Sequence, residues 1–294
     1  MKIGIYGQFY HENAGHYIAQ LLNLLDEKNV EVLIEEDFLQ MIHDHNSIQK
    51  EYRQFSAFEE LDNSFDLFFS IGGDGTILKS INYIRNLNIP IVGINTGRLG
   101  FLATIQKEQI ESTLNEILEK KFTLSPRSVL TIETNTKDQD PVFSQIALNE
   151  IAVSRRNTTS MITVDTWLND QFLTSYWADG LIIATPTGST GYSLSCGGPV
   201  IDPSTHSIVI TPIAPHNLNA RPLVLPDHCE ITLKVSGRED HYLISLDSRI
   251  ATLTNNTEIT IKRAPFTIKM VQMHHASFIK TLREKLLWGE DKRN

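Results

Sequence analysis

The run Ser70-Ile71-Gly72-Gly73-Asp74-Gly75-Thr76 sets a chemical problem. Glycines directly after an apolar strand bring backbone N–H groups close to phosphate, above all where a helix follows. A carboxylate among them repels that phosphate in a low-dielectric cleft, so Asp74 needs a task. Two tasks fit: holding a metal ion that bridges to phosphate, or taking the proton of a hydroxyl that the phosphate will meet. Capping the following helix is the plain structural alternative. The chain contains no GxxxxGK[ST] and no GxGxxG at the strand–helix turn, so neither common phosphate loop is present.

Two further stretches carry usable chemistry. Asp179–Pro199 (DGLIIATPTGSTGYSLSCGGP) offers the hydroxyls of Thr187, Ser189, Thr190, Ser193 and Ser195 with little charge, and Tyr192 adds a flat face. Such a segment suits the base, ribose and diphosphate of a nucleotide; for any single residue a polar turn is the rival. Asn149-Glu150 pairs an amide able to read an adenine edge with a carboxylate able to accept from ribose hydroxyls. A polar pair at a strand edge is its alternative.

These residues need elements to position them. Lys2–Tyr6 reads as a strand, Ile18, Leu21, Leu22 and Leu25 recur at helical spacing, and Glu31–Ile34 reads as the next strand. Residues 43 to 64 are polar and are expected to hold a mobile or helical insertion. Asp66–Ile71 is a buried strand feeding the glycines, Thr76–Leu87 a helix, Ile89–Ile94 a strand, and Ile110, Leu114 and Leu118 mark another helix. Alternation of this kind implies a parallel sheet with helices, whose ligands sit beyond the carboxyl ends of the strands.

Past Lys121 short β-type runs recur: 129–133, 147–154, 162–168, 181–185, 207–210, 230–235, 242–246 and 258–262. Asn169-Asp170 makes a hairpin turn. Phe278, Leu282, Leu286 and Leu287 line a final helix with a basic, solvated opposite face. The expected architecture is an α/β N-terminal domain over 1–122, to which 268–294 returns, and a mainly β domain over 123–267.

Composition narrows the function. A formal net charge of -9 over 294 residues argues against an electrostatic nucleic-acid binder, but leaves an anionic substrate open. Cys196 and Cys229, with no CxxC, read as buried free thiols of a reducing cytosol. The start MKIGIYGQFYHENAG has no long apolar region, so neither signal peptide nor membrane span is expected, and the cytoplasm is inferred. His11/His16, His43/His45 and His274/His275 lack metal-ligand spacing with Cys or carboxylates, so no zinc and no fixed protein metal site is expected.

GGDGT (72–76), NTGRLGFL (95–102), NE (149–150) and the 179–199 block, in this order, resemble NAD kinase, from the first strand to the tail. The long block is the specific part; diacylglycerol and sphingosine kinases share GGDGT, and phosphofructokinases carry a similar element. The resemblance implies transfer of the γ-phosphate of ATP to the 2′-hydroxyl of the adenosine ribose of NAD, making NADP, with Mg²⁺ or another divalent cation accompanying ATP. It makes Asp74 the catalytic carboxylate, facing that hydroxyl between Gly73 and Gly75, and accepting its proton as phosphate arrives. Gly72, Gly73 and Thr76 would meet the phosphates of ATP. Lys79 could reach them, with a solvated lysine as the plain alternative.

The resemblance implies that Asn149 and Glu150 hold the adenosine half and that Phe101 walls it. Asp179 would accept from a carboxamide or amino group. Thr190, Gly191, Tyr192, Ser193, Leu194 and Ser195 would line the same pocket, with Ala214 touching the ligand. A homodimer or homotetramer is implied, with no nucleic acid and no membrane.

Three departures stand out: Gly191 replaces the usual alanine, Asp247-Ser248-Arg249 replaces Asp-Gly-Gln, and Trp177 occupies a position that is often basic and fed in from a neighbouring subunit. The alternatives are a diacylglycerol-type lipid kinase, which leaves 179–199 unexplained, and a non-catalytic dinucleotide sensor.

Overall fold

A computed structural model describes residues 1–8, 14–45, 48, 50–135, 145–157 and 160–287. His11 lies outside them. The chain forms two compact units, Met1–Pro126 with Ile268–Asn294, and Arg127–Thr267.

The first unit is built on a parallel sheet. Lys2–Gly7 lies between Glu31–Glu35 and Leu67–Gly72; Ile91–Asn95 follows Leu67–Gly72, and Arg53–Phe55 closes the edge beyond Glu31–Glu35. Met270, near the end of the strand Glu258–Met273, pairs in parallel with Ile91. The central strands are buried along nearly their whole length, because helices cover both faces of such a sheet. Ala14–Glu27 buries Ile18, Leu21, Leu22 and Leu25, as the spacing predicts. In Ile110–Leu118 it is Ile117, not Leu118, that completes the buried stripe.

The helix after GGDGT runs Asp74–Ile84, starting two residues and ending three residues earlier than its pattern suggests. Its buried stripe is Ile77, Ile81 and Ile84, with Thr76 and Ser80. The polar stretch 43–64 also resolves differently. A helix, Glu36–Asp44, runs into its start, capped by Glu35, whose carboxylate accepts the Phe38 N–H at 2.9 Å. The strand Arg53–Phe55 lies within it. The tail helix is Phe278–Leu286, capped by Ser277, and Leu282 is buried. Leu287 does not join that face: it takes a left-handed conformation past the helix end and is exposed.

The second unit is antiparallel. One sheet runs Leu223–Pro226, Ser207–Ile213, Gly180–Ala184, Glu150–Arg155, His241–Leu246, Arg249–Thr254. Gln171–Ala178, Ile162–Leu168, Ile231–Ser236 and residues 258–261 pair in a second ladder. Val153, Leu181, Ile183, Ile210, Leu233 and Ile244 belong to its core. Asn169 and Asp170 adopt φ 46° and 66°, the paired positive values that a two-residue hairpin turn requires. The α/β-plus-β class expected from the sequence is the one observed.

Candidate active site

In the first unit everything converges on Asp74. The strand-to-helix turn is tight: a Cβ on Gly72 would lie 2.2 Å from Thr76 Oγ1, so only glycine fits. Gly73, not Asp74, is the N-cap, and Asp74 is the first helical residue. Its side chain is therefore not spent on capping its own helix. Instead Oδ2 accepts the Phe101 N–H at 2.7 Å, and Oδ1 accepts those of Leu102 and Ala103 at 3.0 and 2.9 Å.

Gly100 makes that approach possible, since a Cβ there would stand 1.9 Å from Oδ1. Asn95 braces the same loop, its amide donating to Arg98 O at 2.6 Å and accepting from Gly97 N at 2.8 Å. A carboxylate offers about four lone-pair sites. Three are taken, and the one left is on Oδ2.

The turn is open on one side. A Cβ on Gly73 or Gly75 would meet nothing within 4 Å. Thr76 is turned inward: it is buried, with its N–H on Gly73 O at 3.0 Å and no hydrogen-bond partner for its hydroxyl. Lys79 is exposed. The Phe101 ring packs against Phe278 at 6.4 Å between centroids.

The second unit holds a matching clamp. Asp247, at φ 53°, accepts the N–H groups of Leu148, Asn149 and Glu150 at 2.9, 2.8 and 3.1 Å. From the other side Thr185 N donates to Asn149 O at 2.8 Å, and Gly188 presses so close that a Cβ would lie 2.1 Å from that carbonyl. Asn149 and Glu150 are thus fixed, yet Asn149 Oδ1 and Glu150 Oε2 are buried with no hydrogen-bond partner. Burial pushes the Glu150 carboxyl up to about 8, helped by the charge of Asp247 and opposed by the Tyr192 backbone N–H. Arg249 donates to the carbonyls of Ile146 and Leu246, and its charge favours the Asp247 anion.

The 179–199 block divides into scaffold and surface. Ser189 Oγ bridges Pro186 O and Ile201 N, and Ser193 Oγ is buried against Thr211 Oγ1 at 2.8 Å. Thr190 Oγ1 returns to Thr187 O at 3.2 Å. Leu194 is half-buried. Tyr192 and Ser195 are exposed beside it, and Ala214 is exposed with φ 42°. Gly191 lies against the Asn149-Glu150 pair: a Cβ there would sit 3.2 Å from Glu150 Oε2 and 3.4 Å from Asn149 Nδ2. Asp179 is held by Arg155, Nη2 to Oδ2 at 2.9 Å. Trp177 is exposed, its ring 4.4 Å from that of His216.

Sequence reasoning passed over Arg155, Gly100 and the clamping role of Asp247. The glycine before Phe101 and the aspartate in a Leu-Asp-Ser-Arg turn were the available signals. Cys196 and Cys229 are free thiols, the second buried and the first half-buried. Among the described residues no group of three or more His, Cys, Asp or Glu stands ready for a metal ion, and no helix is long and apolar enough to cross a membrane.

Known proteins resemble this chain along its whole length. Residues 3–122 match the ATP-NAD kinase N-terminal domain and residues 148–273 the ATP-NAD kinase C-terminal domain. The second match takes in the block that a lipid kinase leaves unexplained. The NAD kinase of Christiangramia forsetii is 78% identical over 294 residues, and that of Flavobacterium psychrophilum 55%, each covering 100% of both chains. An NAD kinase from Archaeoglobus fulgidus, solved in complex with ATP, superposes with a TM-score of 0.75 at 26% identity, over 98% of this chain and 99% of that one. Yeast NADH kinase, solved with NADH, shares the fold with a TM-score of 0.85 at 24% identity, over 99% of this chain and 89% of that one. The chain therefore belongs to the NAD kinase family, phosphotransferases that phosphorylate NAD with ATP.

Proposed function

We propose that the enzyme moves the γ-phosphate of ATP to the 2′-hydroxyl of the adenosine ribose of NAD, yielding NADP and ADP, with Asp74 at that hydroxyl. The observation that carries this reading is the clamp: three N–H groups immobilise the carboxylate and leave one lone pair on Oδ2. A hydroxyl donating to that lone pair is held in one orientation for in-line attack. The O–P bond forms, the bond from the γ-phosphorus to the ADP oxygen breaks, and the hydroxyl proton passes to Asp74. A carboxylate is a weak base for an alcohol, so the proton moves late, as the attacking oxygen acidifies.

The N–H groups of Gly73, Asp74 and Gly75 lie at a helix N-terminus, and there is open space beside Gly73 and Gly75, which suits the phosphates of ATP. The divalent cation, Mg²⁺ in this reading, enters as part of the MgATP substrate and shields the transferring phosphoryl group. Lys79, exposed one turn on, adds charge near it.

Asn149 and Glu150 hold the adenosine half, and Phe101 is a nucleoside contact supplied by the first unit. Asp179, kept in place by Arg155, accepts from an amide or amino group. Tyr192 stacks, Thr190, Leu194, Ser195 and Ala214 line the pocket, and Gly191 and Ser193 contribute backbone. The enzyme acts in the cytoplasm as a homodimer or homotetramer. The exposed Trp177–His216 pair supports a surface for a neighbouring copy.

The direct test incubates the protein with MgATP and NAD and examines the product by phosphorus NMR and with an NADP-specific dehydrogenase. A 2′-phosphate monoester that the dehydrogenase accepts is expected. A product it rejects, or none, contradicts the reading.

A further inference from the structure

Glu150 and Asp247 are neighbouring carboxylates treated unequally by the fold. Asp247 receives three backbone N–H groups, one of them Glu150's own, and has the Arg249 guanidinium nearby. Glu150 receives one N–H, from Tyr192, and its Oε2 is buried with no partner. Among the described residues, the other elements around Glu150 bring it no cation. Gly180–Ala184, paired with its strand on one side, is GLIIA; on the other side Leu246 and Ser245 lie opposite Ile151 and Ala152. The short helix Tyr192–Ser195 adds only the Tyr192 phenol, a group neutral at pH 7 in any case and pushed further up by partial desolvation.

Two adjacent carboxylates, one buried and one half-buried, cannot both carry charge cheaply, and the proton goes to the more buried one with fewer donors. Burial raises Asp247 too, but its three donors and Arg249 favour the anion. We propose that the free enzyme carries Glu150 as the neutral acid, and that NAD binding drives its proton out to solvent. The loss follows from donor counting: when ribose hydroxyls donate to Oε1 and Oε2, the carboxylate gains the partners that it lacks in the free enzyme. The upward displacement of Glu150 to about 8 agrees with this allocation. This rests on the reading of Asn149-Glu150 as the pair that holds the nucleoside. It adds a proton to the binding equilibrium, so that NAD affinity rises with pH until Glu150 is ionised in the free enzyme.

The experiment has two arms. Infrared difference spectra of the free protein at pH 7, wild type against Glu150→Gln, should show a protonated carboxyl stretch that the variant lacks, and a carboxylate band in its place above pH 9. This arm needs no ligand. Calorimetric titration with NAD in buffers of different ionisation enthalpy should show about one proton released per NAD at pH 7, falling to none above pH 9. NAD has no group of its own titrating near neutral pH. An ionised Glu150 in the free protein overturns the proposal, as does binding without proton release, and in both cases the site reading survives. Absence of NAD binding overturns both.

Discussion

Asp74 and Asp247 make the same contact in two different settings. Each accepts three consecutive backbone N–H groups, from 101–103 in one unit and from 148–150 in the other. Asp74 opens a helix beside glycines whose outer side is empty, and it keeps a lone pair on Oδ2. Asp247 occupies a left-handed turn, half-buried, with a cation beside it and a second carboxylate next door. The difference teaches that a clamp alone does not define a catalytic residue. In our proposal the same geometry readies Asp74 for the hydroxyl, whereas at Asp247 it makes a brace and leaves the shared proton of the carboxylate pair on Glu150.

The comparison breaks first at the brace. Asp247→Ala strands three buried N–H groups and should cost on the order of 3 kcal/mol or more of stability, seen as a large fall in the thermal midpoint. A midpoint unchanged from wild type would make the clamp dispensable. Gly100→Ala removes no carboxylate but drives a methyl into Asp74 Oδ1, so the side chain or the loop must shift. It should lower kcat by about tenfold to a hundredfold, on the scale of losing a positioned group, with the fold intact by circular dichroism. Normal turnover would mean that the 101–103 loop need not be held.

The smallest effect sharpens the second unit. Glu150 is raised in the folded state from an ordinary carboxylate value to about 8. The unfolded chain therefore ionises first as pH rises, and folding stability falls between those two values. The apo protein should lose roughly 1.4 kcal/mol per pH unit between pH 6 and 8 from this group. Glu150→Gln should flatten that slope in denaturant titrations. An equal slope in both proteins would place the shift elsewhere.

Much of this was legible in the sequence because burial writes itself in apolar runs. The strands Lys2–Gly7, Leu67–Gly72 and Ile91–Asn95 and the hairpin at Asn169-Asp170 fall where composition and turn chemistry place them. Glu36–Asp44 was hidden, since the acidic run 35–37 that caps and starts it masks the stripe of Phe38, Leu39 and Ile42. The strands Leu223–Pro226 and Arg249–Thr254 are half-exposed edges with no fully buried position. The clamps were illegible for another reason. Asp74 reaches 27 to 29 residues along the chain and Asp247 reaches 97 to 99, and no local pattern records such a contact. The capping alternative for Asp74 fails because Gly73 takes that position.

One measurement bears most directly on the central claim, that the clamped Asp74 acts on the hydroxyl. NADP formation should be followed for wild type, Asp74→Asn and Gly100→Ala at saturating MgATP and NAD. An asparagine amide must point an NH₂ at one of the three N–H donors, so this variant loses clamp and proton acceptor together, whereas Gly100→Ala disturbs the clamp alone. The account predicts that Asp74→Asn falls about a hundredfold to ten-thousandfold in kcat, well below Gly100→Ala, while NAD still binds. Equal losses in the two variants would reduce Asp74 to a loop anchor and contradict its place at the reacting hydroxyl.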